Sequence, residues 1–416
     1  MEQFILAHTY DIRATHNGRW IDQKCTIDEL CFVADCIVNY LDEGGQEPFE
    51  SPDIWRTEYA TYEVQKVFCK PDPHIESTKD EYNKFFRQPM KMLAAAGVLN
   101  ERKEQGNNAI QFSVANKHLL EYISLRERNC FDFLCAYIEK TLKDSDLWDA
   151  FESFFDEQTP DSYNNIKDAF VNFCIKYTPI NTQIEARRIF AKVLNPLAIR
   201  YRKLGTIKGR ISQNIITMDE ILYNRINFRD QNKDKNVSRG EAALKELESH
   251  EEDVANYMVR KAMNRIKRYN DKYNHSKSEI TDELSIGYDA TNMHHIFPKN
   301  QYPTIADYVE NLIALTSAQH FQKAHPAGNT SVVDLSYQYI CLINKTASIR
   351  KNLIENFGEP FYNFDAFMRV LDTGLKTDYF QGLNENDFPS VIRGIELNYP
   401  TKKDRLDTFY YNVPRK

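Results

Sequence analysis

Four of the chain's ten histidines, His294, His295, His320 and His325, fall within a 32-residue span of the stretch YDATNMHHIFPKNQYPTIADYVENLIALTSAQHFQKAHP, residues 288–326. Imidazole accepts protons near neutral pH and ligates metals through its free nitrogen. One divalent ion and one neutral imidazole can together make water nucleophilic, neutralise charge on a phosphoryl group and stabilise a leaving oxygen. Adjacent residues of a regular strand face opposite ways, so His294 and His295 are not expected to grip one ion. A division of labour between them follows.

The elements that must position these residues read as a strand over roughly 288–295, a loop with Pro298 and Pro303, a short strand NLIAL at 311–315, and a helix starting near Ser317. The Ser317 hydroxyl can cap that helix. His320 lies on the helix, nine residues after Asn311. His325 is five residues further on, about 140° away on a continuous helix, so it reaches the same face only where the helix loosens. Pro326 favours that, because the residue before a proline is pushed out of the α region.

This ββα segment resembles the HNH, or ββα-metal, nuclease motif. The family has a His-His pair ending the first strand, Asn-Leu at the second and a histidine on the following helix. Here these are His294-His295, Asn311-Leu312 and His320, over about 40 residues. The resemblance implies metal ligation by His294, His320 and His325, with His295 as the general base and Asn311 orienting the His295 loop. It also names Mg2+, with Mn2+ as a substitute. Other readings stand beside these: a turn-stabilising role for Asn311, and a phosphate contact or structural cap for His325. Lys323 and Lys299 are phosphate contacts or ordinary exposed lysines. The whole cluster can also be read as a zinc-held module without catalysis. Zinc would call for nearby cysteines, and the nearest, Cys341, is outside the motif.

A chain of 416 residues suggests two or three domains. Its 42% hydrophobic content is globular, and no apolar run approaches the ~18 residues that span a bilayer. The N-terminus MEQFILAHTYDIR lacks a basic leader with an apolar core, so a cytoplasmic, bacterial address is expected, with no membrane partner. The eight cysteines form no C-x-x-C pair, and Cys31, Cys36, Cys135 and Cys174 sit in apolar helical patterns. Buried free thiols are the expectation.

The net charge of −7 does not itself advertise a nucleic-acid binder. Seven acids and no Lys or Arg between Asp144 and Asp161 match that deficit, and read as a solvated acidic face. Elsewhere the sign reverses. Arg200, Arg202, Lys203, Lys208 and Arg210 read as a basic loop, where Gly205 and Gly209 would let the backbone approach a phosphate. A helix over 254–273 carries Arg265 and Arg268 among other cations. Each stretch is either a phosphate contact or a solvated basic surface. The polar stretch 226–241 between them reads as a loop or hinge.

Near the N-terminus, DELCFVADCIVNYLDE (28–43) is helical and stops at Gly44-Gly45; a second helical stretch covers 54–70. A third helix ends at Gly97, and strands at VLNE and AIQFSV form a hairpin across a Gly-Asn-Asn turn at 106–108. This order resembles a winged helix-turn-helix, which implies DNA contact from Arg87, Gln88 and Lys91, with Arg102 and Lys103 at the wing tip. A protein-binding or scaffold role is the other reading. Residues 121–200 read as helices whose aromatic faces are core.

The expected fold class is α+β and mainly helical. A winged-helix-like recognition region (1–125) is followed by a helical middle region with a basic DNA-contacting segment (126–250) and an HNH nuclease domain with flanking helices (251–416). The expected DNA-binding residues are Arg87, Lys91, Arg202, Lys203, Lys208, Arg210, Arg265, Arg268 and Lys323. The expected function is sequence-specific cleavage of double-stranded DNA, as in type II restriction enzymes. One active site per chain would favour a homodimer during double-strand cutting. The alternatives are an antiphage, homing or nonspecific HNH nuclease, one acting on RNA, or a DNA-binding regulator with an inactive HNH fold.

Overall fold

A computed structural model of the chain describes residues 1–103, 109–223, 239–325 and 333–399, without the side chains of 239–249. The fold is α+β and mainly helical, in two compact units, Met1–Val254 and Ala255–Lys416. No helix among the described residues is long and apolar enough to cross a membrane.

The first unit opens with the short helices α1 (Glu2–Ala7) and α2 (Ile12–Thr15), then α3 (Ile27–Asp42). The Thr26 hydroxyl caps α3 by accepting from the Glu29 amide, and Gly44, at φ +91°, supplies the left-handed residue that turns the chain after it. The second helical stretch is two helices, α4 (Ser51–Trp55) and α5 (Glu58–Phe68), preceded by strand β1 (Phe49–Glu50). The break falls at Thr57, which caps α5 through the Ala60 amide.

Helix α6 (Lys79–Ala95) leads through Gly97, at φ +77°, into β2 (Leu99–Lys103) and β3 (Ile110–Val114). These strands pair antiparallel, Leu99 opposite Val114 and Lys103 opposite Ile110. The expected turn at 106–108 lies outside the described residues. Strand β1 joins the far edge of β3, giving the order β1-β3-β2. Its two residues are too short to show a period in the sequence. Phe32 of α3 packs edge-on against Phe85 and Phe86 of α6, with centroids 6.3 and 6.1 Å away.

The middle of the chain forms α7 (Lys117–Leu125), α8 (Glu127–Asp144), α9 (Trp148–Glu157), α10 (Pro160–Tyr177) and α11 (Gln183–Tyr201). Their aromatics are core: Phe133, Phe151, Phe154 and Phe170 are fully buried. Helix α3 packs on α7 and α8, and the Tyr137 hydroxyl donates to the Trp20 carbonyl at 3.0 Å. Residues 1–125 and 126–250 therefore share one core.

The expected basic loop is instead the end of α11 and a hairpin of β4 (Leu204–Ile207) and β5 (Arg210–Ile215). Lys208 and Gly209, at φ +51° and +77°, make its two-residue turn. Gly205 is not a point of ligand approach. A Cβ there would meet Asn195 Oδ1 and Ile216 Cδ1 at 2.6 Å, so its smallness serves packing on α11. The acidic run is only partly solvated, since Asp144 accepts from the Tyr10 amide and Lys140. All eight cysteines are free, and all but Cys69 are buried.

The second unit contains the C-terminal part of α12 (Arg239–Tyr273), a longer helix than the expected 254–273. The polar stretch before it lies mostly outside the described residues. Strands β6 (Asn292–His295) and β7 (Leu312–Leu315) pair antiparallel, with His294 opposite Ile313 and His295 opposite Leu312. Helix α13 (Ser317–Gln319), a π-turn (His320–Ala324), α14 (Leu335–Leu353), α15 (Phe364–Leu375) and α16 (Phe388–Asn398) follow. Every residue of β7 is buried, which fits its unbroken apolar run. Beside it the buried Lys345 ammonium donates to Glu279 at 2.8 Å and to Tyr362 at 3.0 Å, while Glu279 accepts from the Ala314 amide.

Candidate metal centre

Strand β6 is shorter than the sequence suggested, because 276–290 is tied elsewhere: the Ala290 amide donates to the Ser276 carbonyl at 2.7 Å. His294 points to the buried side of the β6–β7 ribbon and is 2% exposed. The residue capping α13 is Thr316, not Ser317. Thr316 and Gln319 form a capping box, while Ser317 Oγ accepts from Asn292 Nδ2 at 2.8 Å. Gln319 is fully buried and fastens the helix start to the preceding segment through Ser278, Ile280 and Asp282.

From His320 the helix widens into a π-turn, and His325 leaves it in an extended conformation, φ −119° and ψ 102°. A π-turn takes i→i+5 hydrogen bonds, and such turns are frequent at functional sites. This is the loosening that a five-residue gap requires. Pro326 lies outside the described residues.

His294, His320 and His325 converge so that one ring nitrogen from each lies within 4.8 Å of the others. Their ring centroids are 4.6 to 5.3 Å apart and the rings stand edge to face. Two buried nitrogens, His294 Nε2 and His320 Nδ1, have no hydrogen-bond partner among the described residues. An orphaned buried polar atom costs about 1–3 kcal/mol, and coordination to an ion would offset that. Burial, helped by the neighbouring imidazoles, holds the His294 pKa well below the ordinary value; burial also lowers that of His320. Both therefore favour the neutral, ligating form. The donor set fits a divalent cation, and all-nitrogen donors suit borderline transition ions more than oxygen-seeking ones.

His295, on the other side of β6, is half-buried. Its Nε2 lies 2.9 Å from the Ala306 carbonyl, which can only accept, so Nε2 carries the proton and Nδ1 is left as the basic nitrogen. Burial lowers its pKa. Asn311, wholly buried, accepts from the Phe297 amide at 2.9 Å and donates to the Phe297 and Ile305 carbonyls at 3.0 and 3.1 Å. It closes both ends of the loop that carries Ala306.

Further supports were not visible in the sequence. Gln338 donates to the Ile296 carbonyl at 2.7 Å and accepts from Tyr399. Gly374 of α15 makes room for the Phe297 ring, which a Cβ would approach to 2.4 Å. These contacts join distant segments and leave no local pattern; only the T-x-x-Q box at 316–319 was readable.

The expected DNA-binding residues are scattered by comparison. Arg87 is exposed on α6, but Lys91 is paired with Glu101 at 3.0 Å and Gln88 accepts from the Lys24 amide. Arg202, Lys208 and Arg210 are exposed and Lys203 half-buried, around the β4–β5 hairpin. On α12, Arg268 is half-buried and Arg265 only 6% exposed; Arg265 faces inward, against the expectation of a surface contact, because its position falls on the apolar face beside Ile266 and Ala262. Lys323 is engaged by Glu283 at 2.6 Å and Asp282 at 3.5 Å, and Lys299 donates to Asn256.

Comparison of the chain with protein-family models, with curated proteins and with solved structures returns no match.

Proposed function

We propose that this chain is a metal-dependent DNA endonuclease of the HNH (ββα-metal) kind, acting as a type II restriction enzyme on double-stranded DNA in the bacterial cytoplasm. The observation that carries the reading is the convergence of three imidazoles, two with orphaned buried nitrogens, next to a fourth whose tautomer is set by a backbone carbonyl.

In this reading His294, His320 and His325 hold the ion. When bound, it supplies positive charge against a phosphoryl oxygen and lowers the pKa of water. His295 takes the water proton at Nδ1, and Ala306 and Asn311 keep the ring oriented. Mg2+ is the proposed ion, with Mn2+ as substitute. The imidazole donors bind Mn2+ and later ions more tightly, so Mg2+ would rely on its abundance. The helix-then-hairpin order and the β1-β3-β2 sheet support a winged-helix-like recognition region, with Arg87 available to DNA. One such site per chain favours a homodimer for cutting both strands.

A second reading, a DNA-binding regulator whose ββα unit merely holds an ion, draws on the same three imidazoles. Plasmid DNA incubated with the chain and Mg2+ or Mn2+ separates the two. Cutting that EDTA abolishes, and that is lost in His295→Ala while duplex binding survives, supports the nuclease. Uncut plasmid under all ions sinks it. Discrete fragments support restriction, whereas a smear points to an antiphage or nonspecific nuclease.

A further inference from the structure

Most buried or half-buried lysines of the first unit are matched to carboxylates: Lys24 to Glu81 at 2.7 Å, Lys140 to Asp144 at 2.6 Å, Lys91 to Glu101 at 3.0 Å. One concave place gathers three cations that are not so matched, the half-buried Lys167 and the exposed Arg187 and Lys208. A cleft of about 410 Å³ between α10, α11 and the tip of the β4–β5 hairpin is lined by Lys167, Arg187 and Lys208, one from each element. Lys167 donates to Asn164 Oδ1 and Arg187 to Gln183 Oε1, both neutral acceptors, and none of the three makes an ion pair among the described residues. Asp168 is the one acid in the lining.

Three like charges gathered in a concavity repel one another and focus a positive potential, and an anion relieves both effects. Lys208 occupies the left-handed first position of a two-residue turn, which sets its backbone at the rim of the cleft. The floor is firm: the Tyr163 hydroxyl bonds Thr206 Oγ1 at 2.6 Å, and Phe190 is 2% exposed. The cations do not stop at the cleft. Arg202 and Lys203 lie at the base of the hairpin and Arg210 at its tip, and the four-residue strand between them is about 13 Å long, more than a single phosphate needs.

We infer that this cleft seats backbone phosphates of a nucleic-acid strand, so that the helical middle of the first unit is a contact surface for the substrate. The inference rests on the nuclease reading and adds to it Lys167 and Arg187, which lie about 20 to 40 residues upstream of the hairpin tip. The cleft's shape comes from three elements, so no single run of charge marks it.

The test is fluorescence anisotropy of the full chain with a labelled DNA duplex, in EDTA, over a salt series. The K167Q/R187Q/K208Q variant is expected to bind about tenfold or more weakly, and its log–log salt dependence to become shallower by roughly 2 to 3, one counterion release per lost contact. Asp168→Asn is expected to tighten binding severalfold, a gain that misfolding cannot mimic. It decides the matter should the triple variant fail to fold. If the wild-type chain binds duplex while the foldable triple variant keeps its affinity and slope, the cleft assignment fails and the nuclease reading stands. No duplex binding by the wild type overturns both. Saturable binding of adenosine monophosphate that needs the same three cations, with duplex affinity unchanged, would make the cleft a mononucleotide site and overturn the backbone assignment.

Discussion

His320 and His325 are five residues apart in sequence, yet their ring centroids lie 4.6 Å apart. On an α-helix that spacing would turn His325 about 140° away. The π-turn over His320–Ala324 and the extended conformation of His325 bring it back. The extra residue in the turn is what the geometry accommodates, and this can be tested directly. Deleting the exposed Gln322 should restore an i,i+4 pair on an α-helix and keep Mn2+ affinity within about tenfold. Inserting an alanine after Gln322 should abolish binding. Isothermal titration calorimetry reads both, and equal affinity in the insertion variant would refute the shared site.

His295→Ala should lower the cleavage rate by roughly 10²–10⁴ without changing ion affinity, since the ring accepts a proton but is not counted among the ligands. Single-turnover cleavage, paired with calorimetry, checks this. An equal loss of ion affinity would make His295 a ligand instead.

Asn311→Ala removes three buried hydrogen bonds at once and orphans groups at both ends of the His295 loop. A destabilisation of about 2–4 kcal/mol is expected in urea denaturation. The cleavage rate should drop further than ion affinity, because the loop holds Ala306 and Ala306 holds the base.

Gly374→Ala drives a methyl group into the Phe297 ring, beside the Asn311 clamp. Overpacking of this kind costs about 1–3 kcal/mol. Adding Phe297→Leu should recover part of the stability, as measured by thermal melting. No recovery would show that the two residues are not coupled.

The metal-free chain should lose stability on acidification. Burial lowers the pKa of His294, His320 and His295 below the ordinary imidazole value, whereas in the unfolded chain they titrate near 6.5. As pH falls below 6.5 the unfolded chain takes up protons that the folded chain does not. The stability these groups contribute is therefore present above 6.5 and is lost as pH falls toward the folded pKa values. Melting temperature in EDTA should decline below about pH 6.5, and less steeply in His294→Gln. A saturating divalent ion should move the decline to lower pH.

Much of the first unit was legible because local rules govern it. The Gly44-Gly45 stop, the hairpin strands at Leu99 and Ile110, and the aromatic helix faces all follow from caps, turns and periodicity. The errors lie where a local pattern had two outcomes. Thr316 and Ser317 were both able to cap α13, and burial of Gln319 chose Thr316. The run at 200–210 was equally basic as loop or hairpin, and packing of Gly205 on α11 made it a hairpin. Arg265 carried a charge and also sat on the apolar stripe of its helix, and the stripe prevailed.

For the candidate site, the sequence alone determined which side chains are present, that His294 and His295 must face apart, and that His325 could reach its partners only from a loosened helix. Alternation along a strand and rotation per residue along a helix are properties of the backbone, so composition and spacing suffice for them. Tertiary structure alone decided that three imidazoles meet within 4.8 Å, that Ala306 selects the His295 tautomer, and that Asn311, Gln338 and Gly374 hold the surrounding loop. Those relationships join residues whose proximity depends on how separate segments pack, and close packing of side chains has no signature in the order of the chain.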